Sequence, residues 1–200
     1  NFEMLKTEVT QNLYQAVMGE NPSSFYGENN PVEMVNWYDE IYFCNTLSEI
    51  FGYEPVYAVD GNTDVTKWGY TKNSINGEIT QNMTANGFRL PTRDEWEYAA
   101  RGGQNYRYAG SDNLDEVGWY KGNTKEKTHL VALKKANGYG LYDMSGNVME
   151  WVWSPVWGLR SCGGSWCDLA LNCEVDYWSY YMNEDSRGND LGFRIVRTVK

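Results

Sequence analysis

The first amphipathic pattern in the chain predicts a short helix near the N-terminus. Leu13, Tyr14 and Val17 fall on one face at helical spacing. Thr10 precedes them with a hydroxyl group that can cap the first turn. Gly19 follows them and has the conformational freedom with which helices commonly end. We therefore expect a helix between these two residues.

A second and longer helical pattern begins at Asn36, whose side chain can cap a helix. Gly52 stands where this helix is expected to end. The apolar residues between them recur at helical spacing, and they are Trp37, Ile41, Cys44, Leu47 and Phe51. Cys44 is thus expected to be a buried helix residue rather than a reactive thiol.

Thr92 and Glu95 have the spacing of a capping box, which predicts a third short helix that Gly102 ends. Residues 87–90, 148–153 and 193–199 have the character of strands. The polar stretch between residues 62 and 86 is expected to be a long surface loop. No linker or internal repeat divides the chain, so we expect one α+β domain over residues 1–200 with much irregular loop.

Composition and charge narrow the classes of partner. Nine Trp and sixteen Tyr exceed what packing usually recruits, so some aromatic side chains should be exposed. A net charge of −10, with no dense Lys/Arg cluster, argues against nucleic acid and anionic membranes as partners. No apolar run approaches the roughly 20 residues of a membrane span, and the N-terminus has no signal-peptide pattern.

The four cysteines do not form a disulfide framework, because Cys44 stands apart from Cys162, Cys167 and Cys173. A redox pair, a metal site and an incidental cluster of thiols are all open for the last three. Zinc lacks the support of a Cys-x-x-Cys pair or a nearby histidine. The one histidine, His129, has no nucleophile arrangement in the sequence and is expected to be a loop or packing residue.

Several short motifs follow one another along almost the whole chain. They are residues 7–10 (TEVT), 31–33 (PVE), 35–37 (VNW), 86–103 (NGFRLPTRDEWEYAARGG), 137–151 (NGYGLYDMSGNVMEW), 163–166 (GGSW) and 191–194 (LGFR). In this order they resemble the formylglycine-generating-enzyme family. The resemblance implies that family's C-type-lectin-like fold, with two packed helices, small twisted antiparallel sheets and long ordered loops. A shared fold does not by itself establish a shared function.

The resemblance raises the hypothesis of a copper-dependent thiol oxidase, because the family's enzymes use two cysteines spaced C-x4-C after the Gly-Gly-Ser strand. Cys173 falls on the second position, but Asp168 occupies the first and Cys167 comes one residue early. In an extended segment that shift would turn the Cys167 sulfur to the opposite face. The expected basic run after the second cysteine is also absent, so we expect no catalytic residues and no required cofactor.

The stretch between Trp166 and Leu191 is rich in Tyr, Asn, Asp and Ser, a composition typical of binding surfaces. The chain resembles still more closely the variable proteins of diversity-generating retroelements, in which template adenines are randomised in a C-terminal segment. Randomised A-A-pyrimidine codons cannot encode Glu, Lys, Gln, Met or Trp. This rule excludes five residues of the stretch from the variable positions: Trp166, Glu174, Trp178, Met182 and Glu184.

The candidate variable segment covers residues 157–190, and Tyr177, Tyr180 and Tyr181 are expected to be displayed because polar residues surround them. Trp153, Trp166 and Phe193 are expected in the core. The positions that the codon rule permits, and that we predict to bind ligand, are Cys167, Asp168, Leu169, Leu171, Asn172, Tyr177, Ser179, Tyr180, Tyr181, Gly188, Asn189 and Asp190.

The resemblance also implies a structural calcium ion at the positions of Asp143, Gly146, Val148 and Glu150, where side-chain and backbone oxygens would be its ligands. The alternative is that the two carboxylates only cap turns. The sequence thus predicts a ligand-display protein with a protein ligand, and carbohydrate as the second choice of ligand. Cell-surface or secreted localisation is expected from the resemblance alone.

Overall fold

The computed structural model describes residues 1–179 and 182–199. In these ranges the helices are α1 (Gln11–Met18), α2 (Trp37–Ile50), α3 (Arg93–Arg101) and α4 (Leu114–Val117). The strands are β1 (Phe2–Met4), β2 (Tyr57–Val59), β3 (Ile79–Gln81), β4 (Phe88–Arg89), β5 (Met149–Ser154), β6 (Gly158–Cys162), β7 (Leu191–Gly192) and β8 (Val196–Thr198).

The helix ends follow the local signals in the sequence. Thr10 caps α1 through its side chain, and Gly19 ends it with a left-handed φ of 78°. Asn36 caps α2 in a capping box, and Thr92 with Glu95 forms the capping box of α3. These predictions are confirmed. None of the helices formed by the described residues has the length and apolar composition that crossing a bilayer demands.

The strands form three small sheets, in the orders β1-β8-β4, β2-β3 and β6-β5-β7. All pairs are antiparallel except β5 with β7, where Met149 lies opposite Leu191 and Glu150 opposite Gly192 in parallel register. Parallel neighbours need a long connection. The segment between β6 and β7 provides it, and this segment is where the predicted ligand-binding positions lie.

The main apolar cluster forms where α1 and α2 meet the C-terminal segment. Tyr14 stacks on Phe43 with ring centroids 5.6 Å apart, and Phe193 meets Phe43 edge-on at 5.2 Å. Cys44 is fully buried in this cluster, as predicted. Phe51 is a correction, because 60% of it is exposed beyond the end of α2.

Three other expectations differ from the structure. The stretch of residues 62–86 is not only a surface loop: it contains β3, and Trp68 is fully buried with its indole N–H donating to the Asn62 carbonyl oxygen at 2.9 Å. The predicted strand over 193–199 is shorter than expected, because only β8 forms within it and residues 193–195 connect β8 to β7 without regular structure. Phe193 is buried in that connection as expected, whereas Trp153 is only half-buried.

A buried ion pair between Arg194 and Glu150 joins distant parts of the chain. The Arg194 guanidinium donates to both Glu150 oxygens at 2.8–3.1 Å and to the carbonyl oxygens of Leu5 and Tyr142. The Trp96 indole N–H donates to Glu150 Oε2 at 2.7 Å. Both charged side chains have 0–1% exposure, so the pair is fully removed from water.

Glu8 lies in the same buried region. Its carboxylate accepts the Asn147 side-chain amide at 2.8 Å and the Val148 backbone N–H at 3.1 Å. Burial raises the pKa of Glu8 well above its ordinary value, and the nearby charges of Asp143 and Glu150 raise it further. Arg194 is therefore the positive charge that offsets several buried carboxylates.

We predict that Arg194→Met lowers the free energy of unfolding by about 3–5 kcal/mol, because it leaves the Glu150 charge buried without its partner. Urea unfolding at neutral pH measures this. Arg197→Met is the matched control, since the Arg197–Glu3 pair is more exposed and such pairs are worth at most about 1 kcal/mol. Equal losses in the two variants would contradict the role given to the buried pair.

Candidate functional site

The candidate surface begins at a tight turn after β6. Gly163 and Gly164 have φ angles of 90° and 65°, in the left-handed region that favours glycine. A Cβ atom at Gly164 would lie 2.7 Å from the Asn172 carbonyl oxygen and 2.8 Å from Cys173 Sγ. The two glycines therefore let the chain fold back against the 3₁₀ turn Ala170–Cys173.

Trp166 fixes this turn to other parts of the molecule. Its backbone N–H donates to the Asn147 carbonyl oxygen at 2.8 Å, and its indole N–H donates to the Asn189 carbonyl oxygen at 3.0 Å. Phe25 meets its ring edge-on at 5.3 Å between centroids. The Trp166 ring is half-buried, so the prediction that it lies in the core is only partly confirmed.

Three of the predicted ligand-binding residues meet beside this tryptophan. The Ser165 hydroxyl donates to Asp168 Oδ2 at 2.7 Å, and its oxygen lies 3.3 Å from Cys167 Sγ. The Cys167 thiol donates to Asp190 Oδ2 at 3.5 Å. Cys167 is thus in contact with Asp190, which lies far along the chain, and Ser165 contacts both Cys167 and the next residue, Asp168.

The 3₁₀ turn displays two apolar side chains. Leu169 and Leu171 are 63% and 61% exposed. The turn is held by backbone hydrogen bonds from Asn172 N–H to the Leu169 carbonyl oxygen, at 2.9 Å, and from Glu174 N–H to the Leu171 carbonyl oxygen, at 3.4 Å. These bonds do not depend on which side chain stands at each position.

Backbone groups also hold residues 188–190. The Gly188 carbonyl oxygen accepts the Met34 N–H at 2.9 Å, and the Asp190 carbonyl oxygen accepts the Met149 N–H at 2.8 Å. The Asn189 carbonyl oxygen accepts the Trp166 indole N–H, as described above. All three residues from 188 to 190 are therefore bound to the scaffold through their carbonyl groups. These bonds do not involve the side chains of Asn189 and Asp190.

Tyr177 and Ser179 lie further along, beside β6. Tyr177 is half-buried and donates its N–H to the Glu174 carbonyl oxygen at 3.1 Å. Ser179 differs from the other positions, because its hydroxyl oxygen accepts the Ser161 N–H at 2.9 Å. Tyr180 and Tyr181 were predicted for the same surface and lie outside the described residues.

The residues that the codon rule excludes make structural side-chain contacts. Glu174 forms a 2.7 Å ion pair with Arg107, and its side chain is only 17% exposed. The Trp178 ring has the guanidinium groups of Arg93 and Arg160 over it at 5.5 and 5.4 Å. Trp166, Glu174 and Trp178 therefore belong to the support of the surface.

Met182 and Glu184, the other two residues that the codon rule excludes, show structural side-chain contacts less clearly. Met182 packs against the main apolar cluster and donates its N–H to the Leu159 carbonyl oxygen at 3.3 Å. Glu184 contributes its carbonyl oxygen, which accepts the Trp37 N–H at 3.1 Å. The contact of Glu184 is a backbone contact and says nothing about its side chain.

Glu33 lies behind the surface, close to Asp190. Glu33 is fully buried, and its Oε1 atom accepts the Phe25 N–H at 2.7 Å. Burial raises the pKa of Glu33 from 4.5 to about 7; backbone N–H donors oppose the shift and the Asp190 charge adds to it. A carboxylate at the base of the surface thus titrates near neutral pH.

We predict that Glu33→Gln flattens the dependence of stability on pH. The folded chain holds the Glu33 proton more tightly than the unfolded chain, so this residue's contribution to stability falls as pH rises from 4.5 to about 7. Urea unfolding at pH 5 and pH 8 should show a smaller difference in the variant. Glu28→Gln, at an exposed position, is the control and should keep the native difference; the same flattening there would refute the assignment.

Burial raises the pKa of the two thiols in this segment. Cys173 is fully buried, and burial raises its pKa to about 12. The pKa of Cys167 is raised by burial first and then by the charges of Asp190 and Asp168. Among residues 1–179 and 182–199, no cluster of three or more His, Cys, Asp or Glu side chains could hold a metal ion.

The extended conformation expected at Cys167 is wrong. The chain turns at Ser165 and continues into the 3₁₀ turn, so neighbouring side chains do not simply alternate between two faces there. The spacing C-x5-C therefore does not by itself place the two sulfurs on opposite faces.

The four residues of the predicted calcium site do not fit together as one ligand set. The Glu150 carboxylate is occupied by Arg194 and Trp96. Asp143 is buried, with Oδ2 accepting the Ala132 N–H at 2.7 Å and Oδ1 without a partner. A calcium ion held by Asp143 Oδ1 with the backbone oxygens of Gly146 and Val148 stays a prediction, and Glu150 is a poor ligand for it.

His129 packs as a loop residue. Its ring stacks on Trp119 at 3.8 Å between centroids, and Lys134 Nζ lies 4.0 Å from the Trp119 ring centre. Burial lowers the pKa of His129, and three nearby lysines lower it further. Its backbone N–H donates to Asn147 Oδ1 at 2.9 Å, and we assign it no chemical role.

The arrangement of small sheets and packed helices is the C-type-lectin-like fold of the formylglycine-generating-enzyme type, as predicted. The chain belongs to the family described as the sulfatase-modifying factor enzyme 1-like domain, whose profile matches residues 1–199. The resemblance found in the sequence is therefore confirmed.

Three relatives bear on function. Treponema denticola variable protein 1 has a solved structure with a TM-score of 0.90 and 38% identity, covering 98% of this chain and 84% of that one. Chaperone protein LppX of Paenibacillus barcinonensis is 40% identical over 99% of this chain and 80% of its own length. The formylglycine-generating enzyme of Mycobacterium tuberculosis is 43% identical over 33% of this chain and 27% of that enzyme.

Proposed function

We propose that this chain is a ligand-display protein of the diversity-generating-retroelement type, whose C-terminal surface binds a protein ligand. The proposal rests on one observation, a division of residues 157–190 into two groups that are held in place by different kinds of contact. Positions that codon randomisation permits are held mainly through backbone bonds, whereas Trp166, Glu174 and Trp178 make structural contacts with their side chains.

This division allows side chains to change without loss of the fold. The residues at 168 and 188–190 give backbone carbonyl groups to the scaffold, and those at 169 and 171 accept backbone hydrogen bonds within the 3₁₀ turn. Such backbone bonds do not require a particular side chain. Leu169 and Leu171 stand exposed on a hydrogen-bonded turn, and a preformed turn lowers the entropy cost of binding. The identity of the ligand would then depend on the side chains alone.

A protein ligand fits the chemistry of the surface better than a carbohydrate does. The exposed Leu169 and Leu171 and the half-buried Trp166 offer apolar contact area. Asp168 and Asp190 add hydrogen-bond acceptors. The relative named a chaperone supports contact with protein chains. The similarity to a variable protein supports display, and a cell-surface or secreted location belongs to the same proposal.

We predict that the permitted positions tolerate substitution. Leu169→Ser and Leu171→Ser should change the free energy of unfolding by no more than about 0.5 kcal/mol, because both side chains are exposed. Glu174→Ala and Trp166→Ala should each cost more than about 1 kcal/mol. Urea unfolding of the four variants measures this. Equal losses of unfolding free energy in the leucine variants and in the Glu174 and Trp166 variants would contradict the division into two groups.

Sequencing of the locus from several isolates tests the proposal as a whole. Differences should concentrate at the permitted positions of residues 157–190 and should arise from adenines of the template. A segment that is identical in all isolates would remove the retroelement assignment. A display library randomised at the same positions should then yield binders to a purified protein such as lysozyme, and failure to yield any would remove ligand display.

The alternative function is copper-dependent thiol oxidation. It is favoured by family membership, but both thiols have raised pKa values and Cys173 is fully buried. Thiolates are the form that binds Cu(I).

We predict that the reduced protein shows no Cu(I) site that depends on both sulfurs and no oxidation of a cysteine peptide. A Cu(I) titration of the native chain, Cys167→Ser and Cys173→Ser measures this. Cys162→Ser serves as the control, because that buried thiol lies in β6. Tight binding that both test variants lose, together with turnover of the peptide, would establish the oxidase and overturn display as the main function.

A further inference from the structure

A second concave site is built from residues that the candidate surface does not use. It is a cavity of about 770 Å³ between β1, α3 and the loop that contains Tyr139. This size is in the range of small-molecule pockets. Its apolar floor is formed by Phe2, Met4, Ala99 and Leu141.

Aromatic rings form the upper part of the cavity. Tyr98 and Tyr139 are 61% and 49% exposed, and their ring centroids lie 5.7 Å apart at an angle of 40°. Phe2 meets Tyr98 edge-on at 6.4 Å. The rings thus present adjoining faces to a ligand, and aromatic ligands stack well on such faces.

The polar groups around the cavity are largely engaged with one another. The Tyr139 hydroxyl donates to the Tyr98 hydroxyl at 3.1 Å. Glu95 receives two 2.7 Å hydrogen bonds from Arg89. A sugar needs several fixed donors and acceptors, whereas the other two polar side chains of the lining besides the tyrosines and Glu95 belong to Asn1 and Asp94, which are both exposed.

The charges near the cavity are balanced. Arg89 pairs with Glu95, and Arg101 pairs with Glu97. Arg93 lies between Glu97 at 2.7 Å and Asp94 at 3.5 Å. Three guanidinium groups thus accompany three carboxylates on α3 and β4, so the site has no strong preference for a charged ligand.

We propose that this cavity binds an uncharged, planar aromatic ligand. The ligand stacks against Tyr98 and Tyr139 and rests its edge on the apolar floor. This site is independent of the display surface, because none of its lining residues lies between residues 157 and 190. The chain would then carry two binding sites of different chemistry.

Saturation-transfer NMR on the full 200-residue chain tests the proposal, with indole, cyclohexanol and glucose as probes. Indole should receive saturation, and cyclohexanol and glucose should bind at least about fivefold more weakly, since an aromatic contact is worth roughly that factor. Tyr98→Ala should weaken indole binding by a similar factor. Tyr139→Phe, which keeps the ring and loses the hydroxyl group, should bind indole as the native chain does.

Tyr106→Ala is the matched control, because Tyr106 is 41% exposed and does not line the cavity. Thermal unfolding shows whether Tyr98→Ala is folded, and Tyr139→Ala replaces it if it is not. Loss of binding in Tyr106→Ala, stronger binding of glucose than of indole, or no saturation of indole would each overturn the proposal.

Discussion

The buried pair of Arg194 and Glu150 is the interaction on which the rest of the structure depends. Through one guanidinium and one carboxylate it joins β5, α3, the segment after β1 and the loop before β5. A buried charge is costly unless it is paired and hydrogen-bonded. The donors and acceptors around this pair therefore leave few alternative arrangements for the segments that it joins.

This arrangement also sets the position of the candidate surface. Glu150 is opposite Gly192 in the parallel pairing of β5 with β7, and Arg194 follows two residues later. A Cβ atom at Gly192 would lie 2.3 Å from the Val32 carbonyl oxygen, so the chain passes closely through the scaffold there. The two ends of the segment between β6 and β7 are thus fixed, and backbone hydrogen bonds need to order only the part between them.

The sequence predicted best those features that depend on neighbouring residues. The caps at Asn36 and Thr92 were found because a cap and its helix are adjacent in the chain. The depth of Trp68 and the turn after Ser165 depend on residues distant in sequence, and both were missed. Glu33 was noticed only as part of a family motif, since nothing in the sequence shows that it is buried behind Asp190.

The codon rule predicts a variable surface, and the same physical separation would allow one. Residues such as Glu174 stabilise the fold through their side chains, so replacing them costs free energy. Residues such as Leu169 lie exposed and contribute their backbone, so selection for stability acts on them weakly. A scaffold that draws its stability from a buried pair and from backbone bonds is compatible with diversity at the predicted ligand-binding positions, because changes there leave those interactions in place.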